Sequence, residues 1–358
     1  MIQEKKLHFF FSLLFISLLI FSSCESDPDA DIADIEVDID FRRTDSLMEA
    51  GMKAYAENPE LDVLQAYDNY LKPDKTFWYE YLGLGGRFGE EVADSKQDSL
   101  IALNVGGLIS DPRMLQLMDS VREVFPMGYD FEAEITPVLK RLAVFFPDIP
   151  LPAFRTHVNG YVPDADLAYI DQIVSVPGFI SFGLHYYLGE SFSFYPPTIP
   201  QYVQRRFKPE FMDVVLAKEI AEQVIEPIDF RQNRALLDNI VHAGMKQYLV
   251  DQLLPNEPDS VKLYYTSAQM EWVSYYEQAV YKELIDKLYD TDFKLQQEYL
   301  GEKPYTTNLS LESAPRLGQF TGWKIVNSYM ENHPNVSVEE LCAMTDYQQI
   351  FKESRYKP

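Results

Sequence analysis

The chain has 358 residues, with 56 acidic against 31 basic side chains and a formal charge of −25 at neutral pH. A surface of that sign repels nucleic acid and excludes a DNA- or RNA-binding role. Hydrophobic residues make up 46% and aromatics 14%, enough to bury a substantial core and to exclude a disordered chain.

In chain order, Lys5 and Lys6 precede an apolar run from Leu7 to Phe21, interrupted only by His8, Ser12 and Ser17 and followed by Ser22-Ser23-Cys24. A charged start, a short apolar stretch and small residues before a cut describe a signal peptide over residues 1–23 rather than a spanning helix. The cysteine after the small pair fits a bacterial lipobox, in which Cys24 becomes the acylated first residue of the mature chain. Phe21 stands where such boxes usually carry leucine, and a cleaved soluble signal is the alternative. Losing Glu4, Lys5 and Lys6 moves the formal charge from −25 to −26. Residues 24–31 then read as a lipidated cysteine and an acidic tether too polar to fold. With Cys24 acylated, Cys342 has no partner for an intrachain disulfide, so stability rests on packing.

The remainder, 32–358, reads as a single ectodomain with a subdivision near Pro147. Ile35, Val37, Ile39 and Phe41 alternate with charged residues and predict a half-buried strand ahead of Arg42-Arg43. Helices are expected over Asp45 to Glu57, Leu61 to Leu71, Asp111 to Phe125 and Phe131 to Phe146. Gly85, Gly86 and Gly89 belong to a glycine-rich stretch without the Gly-Lys-Ser/Thr ending of a phosphate loop, and they read as a turn. Pro147, Pro150 and Pro152 then introduce a strand-rich segment, Ala153 to Val162 and Tyr169 to Leu188.

Two amphipathic helices follow between Lys208 and Pro255. In the first, Met212, Leu216, Ile220 and Val224 recur every four residues; the second, from near Asn233, carries Leu237, Ile240, Val241, Tyr248 and Leu249 on one face. Lys218-Glu219-Ile220-Ala221-Glu222 has the length and placement of a zinc-protease His-Glu-x-x-His helix with both histidines missing. A zinc site there needs donors at i and i+4 and a third from the next helix. Those positions hold Lys218, Glu222 and Ala243. A protonated lysine has no lone pair and alanine no donor atom, so no metal is expected. An ordinary buried helix pair with a solvated charged face accounts for the same periodicity.

Beyond Pro255, a helix is expected over Tyr264 to Tyr289. Another, opened by Ser313-Ala314-Pro315, carries Gly318 and Gly322 one turn apart, a spacing that lets a second backbone approach closely. Ser337-Val338-Glu339-Glu340 has capping-box spacing for a last short helix. The fold class expected is α+β, predominantly helical, with a small sheet followed by a zincin-like helix pair lacking the metal ligands.

The lipobox, the Ile35–Phe41 stretch, Phe146-Pro147, Leu184-His185-Tyr186-Tyr187-Leu188-Gly189, Ile199-Pro200-Gln201-Tyr202 and Gly318–Val326 together resemble the GldB family of gliding-motility lipoproteins of the Bacteroidetes. The order of elements is also similar to a family of predicted zinc peptidases whose metal motif this chain lacks. The resemblance implies an envelope lipoprotein, anchored through acylated Cys24, that works with proteins of the gliding and type IX secretion apparatus.

No catalytic set is read from the residues, and no cofactor. Among His157, His185, His242 and His333 no two lie three to five residues apart. Asp238 and His242 read as a helical surface pair, Glu219, Glu222 and Glu226 as a solvated acidic face, and Cys342 as a small buried hydrophobe. A noncatalytic docking protein is therefore expected, with a hydrolase of unidentified site as the alternative.

Cys24→Ser should shift the protein from the membrane to the soluble fraction. Unchanged membrane fractionation of that variant, with no acyl mass on the parent, would contradict the anchor.

Overall fold

The computed structural model describes residues 29–84, 93–161, 170, 172–228 and 234–358. Cys24, Gly85, Gly86, Gly89 and Asn233 lie outside the described residues. Glu36–Pro358 forms one compact unit, and the described residues ahead of it hold a single 3-10 turn, Ala30–Ile32. The architecture is α+β and mostly helical. Among the described residues no helix is long and apolar enough to cross a membrane.

The first half of the unit is built from strand β1 (Phe41–Arg42) and helices α1 (Thr44–Glu57), α2 (Lys75–Tyr81), α3 (Asp94–Ile109), α4 (Pro112–Val124) and α5 (Phe131–Phe145). The starts of α4 and α5 are set by capping aspartates. Asp111 accepts from the Arg113 amide at 2.9 Å with Pro112 in the first turn, and Asp130 accepts from the Ala133 amide at 3.1 Å. Strands β2 (Ala153–His157), β3 (Ile173–Val176) and β4 (Phe179–Gly183) complete a mixed four-stranded sheet in the order β1-β2-β4-β3. β2 pairs with β1 and β4 in parallel, while β3 and β4 form an antiparallel hairpin. Pro177 and Gly178 make its two-residue turn, and Gly178 takes φ +79°, the conformation a type II turn requires at that position.

The expected strand over Ile35 to Phe41 shortens to Phe41–Arg42. Within the compact unit the alternation survives: Val37, Ile39 and Phe41 pack on the core, but the backbone meets β2 only from Asp40 to Arg42. Buried ion pairs then fix this edge. Arg155 Nε lies 3.0 Å from Asp74 Oδ2, which also accepts from Thr44 Oγ1 at 2.6 Å, and buried Asp45 is shared by Arg43 and Arg122.

The second half comprises α6 (Met212–Val224), α7 (Leu236–Leu253), α8 (Ser267–Ile285), α9 (Phe293–Leu300), α10 (Leu317–Asn332) and α11 (Tyr347–Ser354). α7 is the axis of this half. Leu236, Leu237, Ile240, Val241, Met245, Leu249, Val250 and Leu253 are all buried, because α6, α10 and α11 pack around it. α10 opens at Leu317, after Ser313-Ala314-Pro315. Ser337 and Glu340 form the expected capping box, with both reciprocal bonds present at 3.0 and 2.8 Å.

The most extensive helix contact is that of α7 with α10. Gly322 faces Ile240 and Gly244 directly: a Cβ at Gly322 would sit 1.9 Å from the Ile240 carbonyl oxygen, and one at Gly244 would sit 2.1 Å from the Gly322 carbonyl carbon. Both obstacles are backbone, so neither can swing aside. Gly322→Ala should lower stability by about 3 kcal/mol, the upper end of overpacking costs. Gly107→Ala in α3, where an added Cβ meets nothing within 4 Å, should be neutral or mildly stabilising. Denaturant unfolding of the two variants checks this, and equal effects would contradict the close-contact account.

Candidate functional site

A cavity of about 370 Å³ opens between α6, α7 and the start of α10. Its lining includes Lys218, Glu222 and Ala243, so the structure brings three of the four sequence-singled positions together. Glu219 is absent from that lining and instead accepts from Gln223 Nε2 at 2.8 Å.

Lys218 projects from α6 between a ring and an amide. Its Nζ lies 4.8 Å from the centroid of Tyr264 and donates to Gln247 Oε1 at 3.3 Å. Burial, then Arg316 and Arg206, pull its ammonium down to about 7, against the opposing pull of Glu302 and Glu222. Among the described residues no carboxylate lies within ion-pair distance of Lys218 Nζ. Its neighbours are already matched. Arg316 Nη1 grips both Glu302 oxygens at 2.9 Å, Arg206 Nη2 takes Glu302 Oε1 at 2.6 Å, and Lys246 pairs with Glu222. Burial works to raise Glu302, but the two guanidiniums outweigh it and hold its carboxyl below the usual range.

Two residues here adopt left-handed backbone: Tyr264 at φ +56° and Arg316 at φ +47°. Non-glycine residues in this region are uncommon, and such strain concentrates at functional sites. The turn at Tyr264 lays its ring under the cations, with Arg206 at 4.5 Å from the centroid, and burial raises its phenol to about 12. Arg316, placed just before α10, also donates to the Leu263 carbonyl at 2.7 Å and so ties the two strained turns together.

His242 departs from the expected surface pair with Asp238. Both residues are buried, and His242 Nε2 donates to the Glu226 carbonyl at 3.0 Å, since that oxygen can only accept. Burial and then Lys246 lower its pKa. Cys342 is buried, which pushes its thiol up to about 12 and leaves it unreactive. Tyr186 and Tyr187 are core residues, whereas Tyr275 and Tyr276 of α8 are exposed and meet edge to face, with Tyr276 tilted against Trp272.

Sequence reasoning missed a second polar cluster. His157 Nδ1 lies 2.8 Å from Ser181 Oγ, with His185 beside it at a ring separation of 5.9 Å. β2 and β4 run in parallel register there, which brings together residues 24 apart in sequence. A histidine–serine contact suggests a nucleophile and base. All three side chains are fully buried, however, and burial lowers His157 to about 3. The pair stays neutral inside the sheet.

The family described as gliding motility protein GldB matches residues 25–358. No curated protein and no solved structure matches the chain.

The depressed Lys218 carries a signed prediction. The unfolded chain holds that proton to about pH 10.5 and the folded chain only to about 7, so between these values stability rises with pH. Lys218→Met should therefore stabilise the fold by about 1–3 kcal/mol at pH 6, with the gain shrinking toward pH 10. Urea unfolding at pH 6 and 9.5 checks it; a destabilised variant, or a gain that grows with pH, would contradict the reading.

Proposed function

The chain belongs to the gliding motility protein GldB family, and on that premise we propose that it acts by association rather than by turnover. Family membership supplies the role in gliding motility and a lipid-anchored place in the envelope. Our reading adds that the anchor is in the outer membrane, that the partners are envelope proteins of the gliding and type IX secretion machinery, and that the α6–α7 pair is a peptidase-like scaffold without its metal.

The observation that carries this reading is the pairing inside the cavity. A general base needs a free carboxylate or imidazole within reach of a substrate. Glu222 is held by Lys246, Glu302 by Arg316 and Arg206, and His242 by a backbone carbonyl. The residues at the positions of a zinc set are a cation, a paired carboxylate and an alanine, whose donor chemistry does not suit a metal.

Exposed rings supply what association needs. Tyr275 is 81% exposed and Tyr276 43% on the outer face of α8. Tyrosines offer large, rigid contact area and are enriched among the residues that dominate interface energies. The hydrolase reading draws on the His157–Ser181 contact, but a substrate would have to enter the sheet to reach it.

In a deletion strain complemented with folded variants, Glu219→Gln, Glu222→Gln and His242→Asn should each leave motility at the parent level. Tyr275→Ala with Tyr276→Ala should reduce recovery of crosslinked envelope partners by about tenfold, on the order of 1.4 kcal/mol. Loss of motility from one carboxylate change, with folding and partner recovery intact, would overturn the association reading.

A further inference from the structure

We propose that the cavity between α6, α7 and the start of α10 is a binding site for a ligand carboxylate, held by Lys218 and the side-chain amide of Gln247. Three observations meet there. Lys218 has a ring and an amide oxygen for partners but no anion. Gln247 is 1% exposed, and its oxygen accepts from both Lys218 and Gln319 Nε2, which fixes the orientation of the amide. Its Nε2 then has no acceptor among the described residues, a costly state for a buried amide. An anion placed between the two takes a charge-assisted bond from the lysine and satisfies the amide.

The charge count favours a monoanion. The lining holds Lys218, Lys246 and Arg316 against Glu222 and Glu302, one positive charge in excess. A single carboxylate neutralises it, whereas a phosphate dianion would overshoot and face two carboxylates. Ala221, Ala243, Val250, Leu300 and the Tyr264 ring give the wall an apolar part, beside the neutral polar groups of Asn239, His242 and Gln319. A volume of about 370 Å³ suits an acid with a small aliphatic body. Both association and turnover are compatible with such a ligand, so the functional reading above and this site fail separately.

Binding must be coupled to the proton on Lys218. The groups facing that ammonium are Glu222 on its own helix, Lys246 and His242 from α7, Tyr264, Glu302, and Arg316 and Arg206. Burial and the two arginines bring the Lys218 ammonium down to about 7, so its loss of charge weakens binding as pH rises from 7 to 9.

The test is calorimetric titration of the full chain, purified in detergent, with N-acetyl-leucine, N-acetyl-valine and N-acetyl-alanyl-leucine. Matching amides and inorganic phosphate serve as controls. We expect one saturable site for at least one acid, amide binding weaker by at least tenfold, and proton uptake on binding at pH 7.5. Affinity should fall about tenfold between pH 7 and 9. Lys218→Met should lose at least tenfold, and Gln247→Met should lose severalfold, each with a cooperative thermal melt confirming the fold. Tighter binding of the dipeptide than of N-acetyl-leucine points to a chain terminus as the source, and equal binding to a small free acid; both support the carboxylate site. No saturable binding by any acid, equal binding of the amides, tighter binding of phosphate, or unchanged affinity in folded Lys218→Met would overturn it.

Discussion

The backbone-to-backbone seat of α10 on α7 is the constraint from which the rest of this half of the protein follows. Gly322 lies on the Ile240 carbonyl and against Gly244 with no side chain between. Gly318, one turn earlier, faces the Ile240 side chain and, from α9, the Tyr299 carbonyl and the Leu300 side chain. Helices seated this closely gain dispersion contacts along their length but lose any freedom to slide. The positions of Gln247 on α7, and of Arg316 and Gln319 at the start of α10, are thereby fixed relative to each other. Gln319 reaches Gln247 at 2.9 Å and Arg316 reaches Gln319 at 3.2 Å, so the polar wall of the cavity extends directly from the glycine contact.

That wall gathers positive charge in a protein that is strongly acidic. The arginines flanking Glu302 hold its carboxyl below the usual range, and the same pair makes a third cation nearby expensive. Lys218 is that third cation. A half-buried lysine next to two guanidiniums, above a phenol and beside a half-satisfied amide, carries a local conflict between packing and electrostatics. Such conflicts accumulate where function imposes them, and the left-handed backbone at Tyr264 and Arg316 falls in the same place.

Much of the fold was legible in the sequence, for identifiable reasons. Periods of four in α6 and the spacing of Gly318 and Gly322 are local signals whose tertiary meaning is nearly unique. Ser337 and Glu340 satisfy each other within one turn, so the capping box needed no distant partner. Helix α3 escaped because Gly106, Gly107 and Asn104 dilute its apolar pattern. Tyr186 and Tyr187 carry no local mark of their burial, yet they lie in the core, where the Tyr187 hydroxyl donates to the Gln172 carbonyl at 3.0 Å. At the site, Lys218 and Glu222 could be placed together from helix geometry, and Ala243 with them only through the likeness to a zinc-peptidase arrangement. Arg206, Tyr264, Glu302 and Arg316 could not, because each comes from a different turn and nothing local announces their convergence.

The electrostatic character of Lys218 underlies both the site and its ligand, and it can be observed without any ligand. Lysine labelled with carbon-13 at Cε, with the Lys218 resonance assigned by its loss in Lys218→Met, reports the titration of that single ammonium in the folded chain. The structure predicts a midpoint near 7, set by burial and by Arg316 and Arg206. A midpoint near the ordinary lysine value of about 10.4 would mean that Lys218 is solvated and that the cavity described here does not enclose it.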